Sequence, residues 1–184
     1  MSDKENPEVA GPPKTMDLDY RMWRCGGESP DGLFDEDLCG KGRPPGTMLV
    51  DPDARVHGCC CMGLMMMEAG ADRRFLEGMP GLAAVAHSTA GLLNGGADRL
   101  VRRLCSSAER SDPMVSVAKL LVRANDDLGE LPEEGWSRER RIAFRMARIE
   151  HVMDAAGLPV RFVNVPGDVG AEMDEARRCA AGQP

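Results

Sequence analysis

The chain has 184 residues, which is enough for one domain that folds without needing a disulfide or a metal ion. Its net charge of −7 opposes nonspecific binding to nucleic acid or to an anionic membrane, although it does not exclude a local basic patch. Aromatic residues make up only 4% of the chain, whereas thirteen methionines are present, so we expect an adaptable, methionine-rich core.

The seven cysteines are predicted to be free thiols in a reducing compartment. The sequence begins Met-Ser-Asp-Lys-Glu-Asn-Pro, without an apolar segment to direct export. The consecutive residues Cys59, Cys60 and Cys61 would pair with one another only under strain. The apolar run that they begin is less than half of the roughly 20 residues that span a bilayer. We therefore predict a cytoplasmic protein that does not bind membranes.

The two ends of the chain differ in composition from its middle. Residues 1–16 are rich in proline, glycine and charge, which predicts a disordered tail. Residues 166–184 are similar, so we predict a flexible C-terminal tail in which Ala171 to Ala180 could form a short, weakly amphipathic helix. A single domain then covers residues 17–165.

The first predicted elements in the domain are strands. Residues 20–25 alternate between apolar and polar types, and residues 47–50 form a second short strand before the turn sequence Asp51-Pro52-Asp53. Together they predict a hairpin with a long connection. Residues 160–163 alternate in the same way and are predicted to join the hairpin sheet.

Four helices are predicted between these strands, at residues 59–69, 97–107, 113–124 and 138–156. The first is an apolar run that ends at Gly70, and the last starts after Ser137 and ends at Gly157. The predicted fold class is therefore α+β. A small antiparallel sheet, made of the N-terminal hairpin and the C-terminal strand, is packed by several α-helices.

Four segments in this order resemble those of a group of small proteins encoded by bacteriophages and prophages. The segments are Cys60 to Gly63, Leu121 to Asp127, Ser137 to Arg140 and Gly157 to Val163. The group carries a Cys-Cys-Leu-Gly segment, an Asn-Asp loop and an arginine-rich helix before a valine-rich strand. The resemblance spans roughly residues 20–165, with Met62 in place of the leucine and Cys59 as an addition. It implies a phage origin and a location in the host cytoplasm, but no particular activity.

The cysteines raise the question of a zinc site. Chain topology could bring Cys25, Cys39, His57 and Cys59 together across the hairpin. However, the chain has no Cys-x-x-Cys pair, and successive cysteines on a helix point about 100° apart. A thiol at a helix N-terminus near His57 could alternatively be a nucleophile. The simplest alternative is that the cysteines are small buried apolar residues, and we predict no cofactor while leaving zinc open.

Asp126 and Asp127, in a loop at a helix end, are the best candidates for an acidic site. Their carboxylates could bind Mg²⁺ or act as acid and base. The same residue types also end helices and form turns, so a structural role is the alternative.

The helix at 138–156 carries Arg141, Arg145 and Arg148 along one edge of its apolar stripe. Three arginines aligned along one edge of a helix can bind phosphates or an acidic partner. Arginines early in a helix also run against the helix dipole, so local stability does not explain them. The alternative is a solvated face or pairing within the chain. We predict that these arginines bind a partner.

The sequence thus predicts a phage-type accessory protein that binds a macromolecular partner, such as a host protein, without catalysis. One alternative is a small metal-dependent enzyme or zinc-stabilised domain that uses the Cys/His set or the two aspartates. Another is a nucleic-acid binder, which the overall charge disfavours.

Overall fold

The computed structural model describes residues 14–23, 49–50, 58–77, 79, 95–105, 116–126 and 135–182. Within these residues the chain forms two strands and six α-helices. The strands are β1 (Met16–Asp19) and β2 (Val160–Val163). The helices are α1 (Cys61–Glu68), α2 (Arg73–Leu76), α3 (Gly95–Leu104), α4 (Val117–Asp126), α5 (Arg138–Ala155) and α6 (Gly167–Ala180).

The sheet consists of β1 and β2 in parallel, so the predicted antiparallel sheet is wrong. Leu18 pairs with Phe162, and both side chains are buried. Residues 20–22, predicted as part of a hairpin strand, instead form a 3₁₀ turn. Asp19 caps this turn by accepting a hydrogen bond from the Arg21 N–H, which competes with extended backbone. A parallel pair needs a long crossover, and the helices between β1 and β2 provide it.

The C-terminal half of the domain agrees closely with its sequence pattern. Helix α5 begins at the predicted residue and ends one residue early, and β2 has the predicted bounds. Ser137 caps α5 because its Oγ accepts a hydrogen bond from the Arg140 N–H at 3.1 Å. Helix α3 starts two residues before its predicted position and ends three residues early. Helix α4 starts at Val117, and the predicted start at residue 113 lies outside the described residues.

Helix α1 is the buried helix predicted after the hairpin, but it begins at Cys61 rather than Cys59. Cys60 occupies the N-cap position, where its Sγ accepts a hydrogen bond from the Gly63 N–H at 3.4 Å. The predicted ending at Gly70 is confirmed. Gly70 has a φ of 92° and donates to the Met67 carbonyl, while the next N–H reaches the Met66 carbonyl. This pair of bonds is a Schellman ending, which favours glycine.

Gly63 allows α1 to lie directly against the backbone at Leu49. A Cβ atom at residue 63 would lie 1.9 Å from the Leu49 carbonyl oxygen, far inside any permitted contact. The Leu49 carbonyl also accepts the Cys60 N–H at 3.2 Å, so this approach is fixed by hydrogen bonding as well as by packing. The start of α1 is therefore held against the backbone at Leu49.

One hydrophobic core joins the described elements, and α1 contacts β1, α3 and α4 within it. The expected methionine-rich character is confirmed, since six methionines of the described segments are buried: Met62, Met65, Met66, Met146, Met153 and Met173. Trp23 is fully buried and its ring centroid lies 4.8 Å from that of Phe162. Flexible side chains thus fill the space around a few fixed aromatic rings.

The segment expected to be a flexible C-terminal tail contains helix α6, which has 14 residues. This helix starts four residues before the predicted short helix. It buries Val169, Met173 and Ala176 and forms the most extensive helix–helix contact of the described residues, against α5. At the other end of the chain, β1 begins at Met16, the last residue of the predicted N-terminal tail.

Candidate functional site

A buried polar network joins three elements at the end of α4. The Asn125 Oδ1 accepts hydrogen bonds from the Trp23 indole N–H at 2.8 Å and from the Cys61 N–H at 3.2 Å. The Asn125 backbone carbonyl accepts a bond from Nη1 of Arg145 at 2.8 Å. Asn125 is 2% exposed, so these bonds satisfy donors that water does not reach.

Arg145, one of the three arginines predicted to bind a partner, belongs to this network. It is only 4% exposed. Its Nη1 donates to the Asn125 carbonyl at the C-terminal end of α4. Carbonyls at a helix C-terminus lack partners within the helix, and the helix dipole makes a positive charge favourable there. Among the described residues its Nη2 has no hydrogen-bond partner. A surface ligand therefore cannot reach Arg145 in this structure, and the three arginines do not form one exposed edge.

A row of alternating aromatic and arginine side chains, spaced by four residues, instead begins just before α5 and continues along that helix. The row is Trp136, Arg140, Phe144 and Arg148, and we call it the ladder. The Arg140 guanidinium lies 4.6 Å from the Trp136 ring centroid. Trp136 meets Phe144 edge to face at 5.3 Å, and Arg148 lies 5.9 Å from the Phe144 ring. Each guanidinium thus faces an aromatic ring.

The ladder combines apolar contact with positive charge. Within the ladder, the Phe144 side chain is buried, whereas the side chains of Trp136, Arg140 and Arg148 are half-buried and reach solvent. Exposed cation–π contacts contribute about 0.5–1 kcal/mol each, so part of the ladder's role is to stabilise the start of α5. Trp and Arg in such surroundings are also the residue types enriched at protein interfaces.

The remaining predicted arginine, Arg141, lies beside the ladder on the same helix and is half-buried. Within the described part of the chain, its Nε has no hydrogen-bond partner. Arg140 pairs with Glu175 of α6 and adds a cation that the sequence prediction omitted. The prediction also missed Trp136 and Phe144. Their spacing of four from Arg140 and Arg148 was the signal available in the sequence.

The proposed zinc set cannot be placed, because Cys25, Cys39 and His57 lie outside the described residues. Its fourth member, Cys59, is 1% exposed. Burial raises the pKa of the Cys59 thiol, and this outweighs the opposing effect of the Arg73 charge. The thiol is therefore protonated at neutral pH, which disfavours it as a nucleophile. Asp127 and the side chain of Asp126 also lie outside the described residues, in which no group of three metal-binding side chains occurs.

A half-open pocket of about 200 Å³ lies where α5, β2 and α6 meet. Buried Glu150 accepts hydrogen bonds there from the Phe162 N–H at 3.2 Å and from Arg177 at 2.9 Å. Asp154 and Arg161 pair through two bonds of 3.1 Å. The acids and arginines of this pocket neutralise one another, so it lacks the unbalanced charge that would attract an ionic ligand.

Comparison of the chain with known protein families, with curated proteins and with solved structures finds no match. None of the helices in the described residues is long and apolar enough to cross a membrane.

Proposed function

We propose that this chain is a phage-type accessory protein that binds an acidic segment of another protein, without catalysis, through the ladder on α5. One observation carries the proposal: guanidinium groups and aromatic rings alternate along a partly exposed helix face. Such a face offers a partner both charge-assisted hydrogen bonds and apolar contact area.

The overall charge supports a protein partner over a nucleic acid. A chain with a net charge of −7 repels a polyanion that extends far beyond the ladder. A short acidic segment of a protein meets only the local arginines.

Fluorescence anisotropy of a labelled oligo-glutamate peptide tests this proposal. We expect wild-type protein to bind the peptide. Arg148→Gln and Trp136→Ala should each weaken binding by about 10-fold, which corresponds to about 1.4 kcal/mol of binding free energy. The matched control is Arg99→Gln, because Arg99 is an exposed arginine of α3, away from the ladder, and loses the same charge. Circular dichroism confirms that each variant is folded.

Two results would contradict the proposal. One is equal weakening by Arg99→Gln and Arg148→Gln, which would mean that only the overall charge matters. The other is tighter binding of oligo-deoxythymidine than of oligo-glutamate, with a steep dependence on salt, which identifies a nucleic-acid binder.

A further inference from the structure

The ladder already holds one carboxylate of the same chain. The Glu175 side chain of α6 contacts Nη2 of Arg140. The Arg140 guanidinium at the same time lies over the Trp136 ring. Glu175 therefore places its carboxylate at the arginine in the middle of the ladder, where an acidic partner would place one.

We propose that Arg140 is the carboxylate-binding position of the ladder, and that Glu175 occupies it in place of a partner's Asp or Glu side chain. This inference rests on the proposed function. It names the group recognised and adds that partner binding proceeds by exchange of one carboxylate for another. Arg140 is therefore hydrogen-bonded to a carboxylate both before and after that exchange.

The energetics allow the exchange. The Arg140 and Glu175 side chains are 34% and 48% exposed, and an ion pair that water reaches in this way contributes little to stability. Release of Glu175 does not require α6 to leave α5. Val169, Met173 and Ala176 hold the helix to the core, and Arg177 pairs separately with buried Glu150. Glu175 can thus leave by a side-chain rotation while the fold stays intact.

Glu175 should therefore weaken the affinity for an acidic partner. The test compares the oligo-glutamate affinities of wild type, Glu175→Gln and Glu172→Gln. Both substitutions remove one negative charge from α6, and Glu172 lies one turn from Glu175. If Glu175 competes for Arg140, Glu175→Gln binds about 1.5–5-fold more tightly than wild type, the range equivalent to an exposed ion pair. Glu172→Gln stays close to wild type.

A double-mutant cycle completes the test. With Arg140→Gln present, the further change Glu175→Gln should have no effect on affinity. Equal tightening by Glu175→Gln and Glu172→Gln, or tightening that persists without Arg140, would overturn the inference while leaving the proposed function in place. If neither wild type nor Glu175→Gln binds the peptide, both proposals fail. If Glu175→Gln binds the peptide and wild type does not, Glu175 competes strongly for Arg140 and the inference is supported.

Discussion

The carboxamide oxygen of Asn125 lies 2.8 Å from the indole nitrogen of Trp23, although the two residues are 102 positions apart in the chain. The same oxygen accepts the first N–H of helix α1. The Asn125 side chain at the end of α4 therefore holds both the buried Trp23 ring and the first residue of helix α1 in place.

Removing this side chain should destabilise the protein strongly. Asn125→Ala removes the oxygen that accepts hydrogen bonds from the buried Trp23 indole N–H and from the Cys61 N–H. Unsatisfied buried donors are costly, so we expect the free energy of unfolding to fall by about 2–4 kcal/mol. Urea denaturation measures this change. Val122→Ala on the same helix is the control, because Val122 is 42% exposed and its truncation should change stability by less than about 0.5 kcal/mol. Similar losses in the two variants would refute the role of Asn125.

A second prediction concerns the close approach at Gly63. A methyl group there meets the Leu49 carbonyl, which is backbone and cannot rotate away. We expect Gly63→Ala to lower the unfolding free energy by about 2–4 kcal/mol. The same change at Gly170 of α6 meets no atom within 4 Å and should stabilise by up to about 1 kcal/mol. Thermal denaturation distinguishes the two signs, and a neutral Gly63→Ala would contradict the packing of α1.

Burial of the cysteines predicts their order of reaction. Cys105 is exposed, whereas Cys59, Cys60 and Cys61 are buried. Under native conditions iodoacetamide should modify Cys105 and spare the peptide that contains residues 59–61. Mass spectrometry with and without denaturant measures this difference. Modification of the three cysteines as fast as Cys105 would show that the start of α1 is open to solvent.

Asp19 should make the stability depend on pH in the acidic range. Its hydrogen bonds with the Arg21 side chain hold the carboxyl pKa to about 2, below the ordinary value of 3.8. The unfolded chain therefore binds this proton more readily than the folded chain does. The stabilisation is fully present above about pH 4 and is lost as the pH falls through about 2.

Asp19→Asn tests this effect, because asparagine keeps the capping oxygen but removes the charge. The variant should be less stable than wild type at pH 6, and the difference should shrink as the pH falls below about 4. Chemical denaturation over this range provides the measurement. A difference that stays constant down to the lowest pH would show that the charge of Asp19 does not contribute.

The sequence predicted well the elements that local signals define. Ser137 and Gly157 bracket α5, and alternation marks β2, because caps and periodicity act within a few residues. It failed where distant contacts decide the structure. The strand direction depends on which segment pairs with β2, and residues 16–19 carry no stronger strand pattern than residues 20–25.

The candidate site shows the same limit. Arg141, Arg145 and Arg148 lie on neighbouring positions of α5, but Arg145 is buried because α4 covers it and presents the Asn125 carbonyl. Helical periodicity places a side chain on a face of its own helix. Only the packing of other elements decides which part of that face remains exposed.

Binding of an acidic protein segment at the ladder can be observed directly through the Trp136 side chain. The chain has only two tryptophans, Trp23 in the core and Trp136 in the ladder, so a ¹H–¹⁵N spectrum contains two indole signals. Titration with oligo-glutamate should move the Trp136 indole signal in a saturable manner and leave that of Trp23 unchanged. If both signals stay in place at saturating peptide, or if the Trp23 signal moves while that of Trp136 does not, the ladder is not the binding surface.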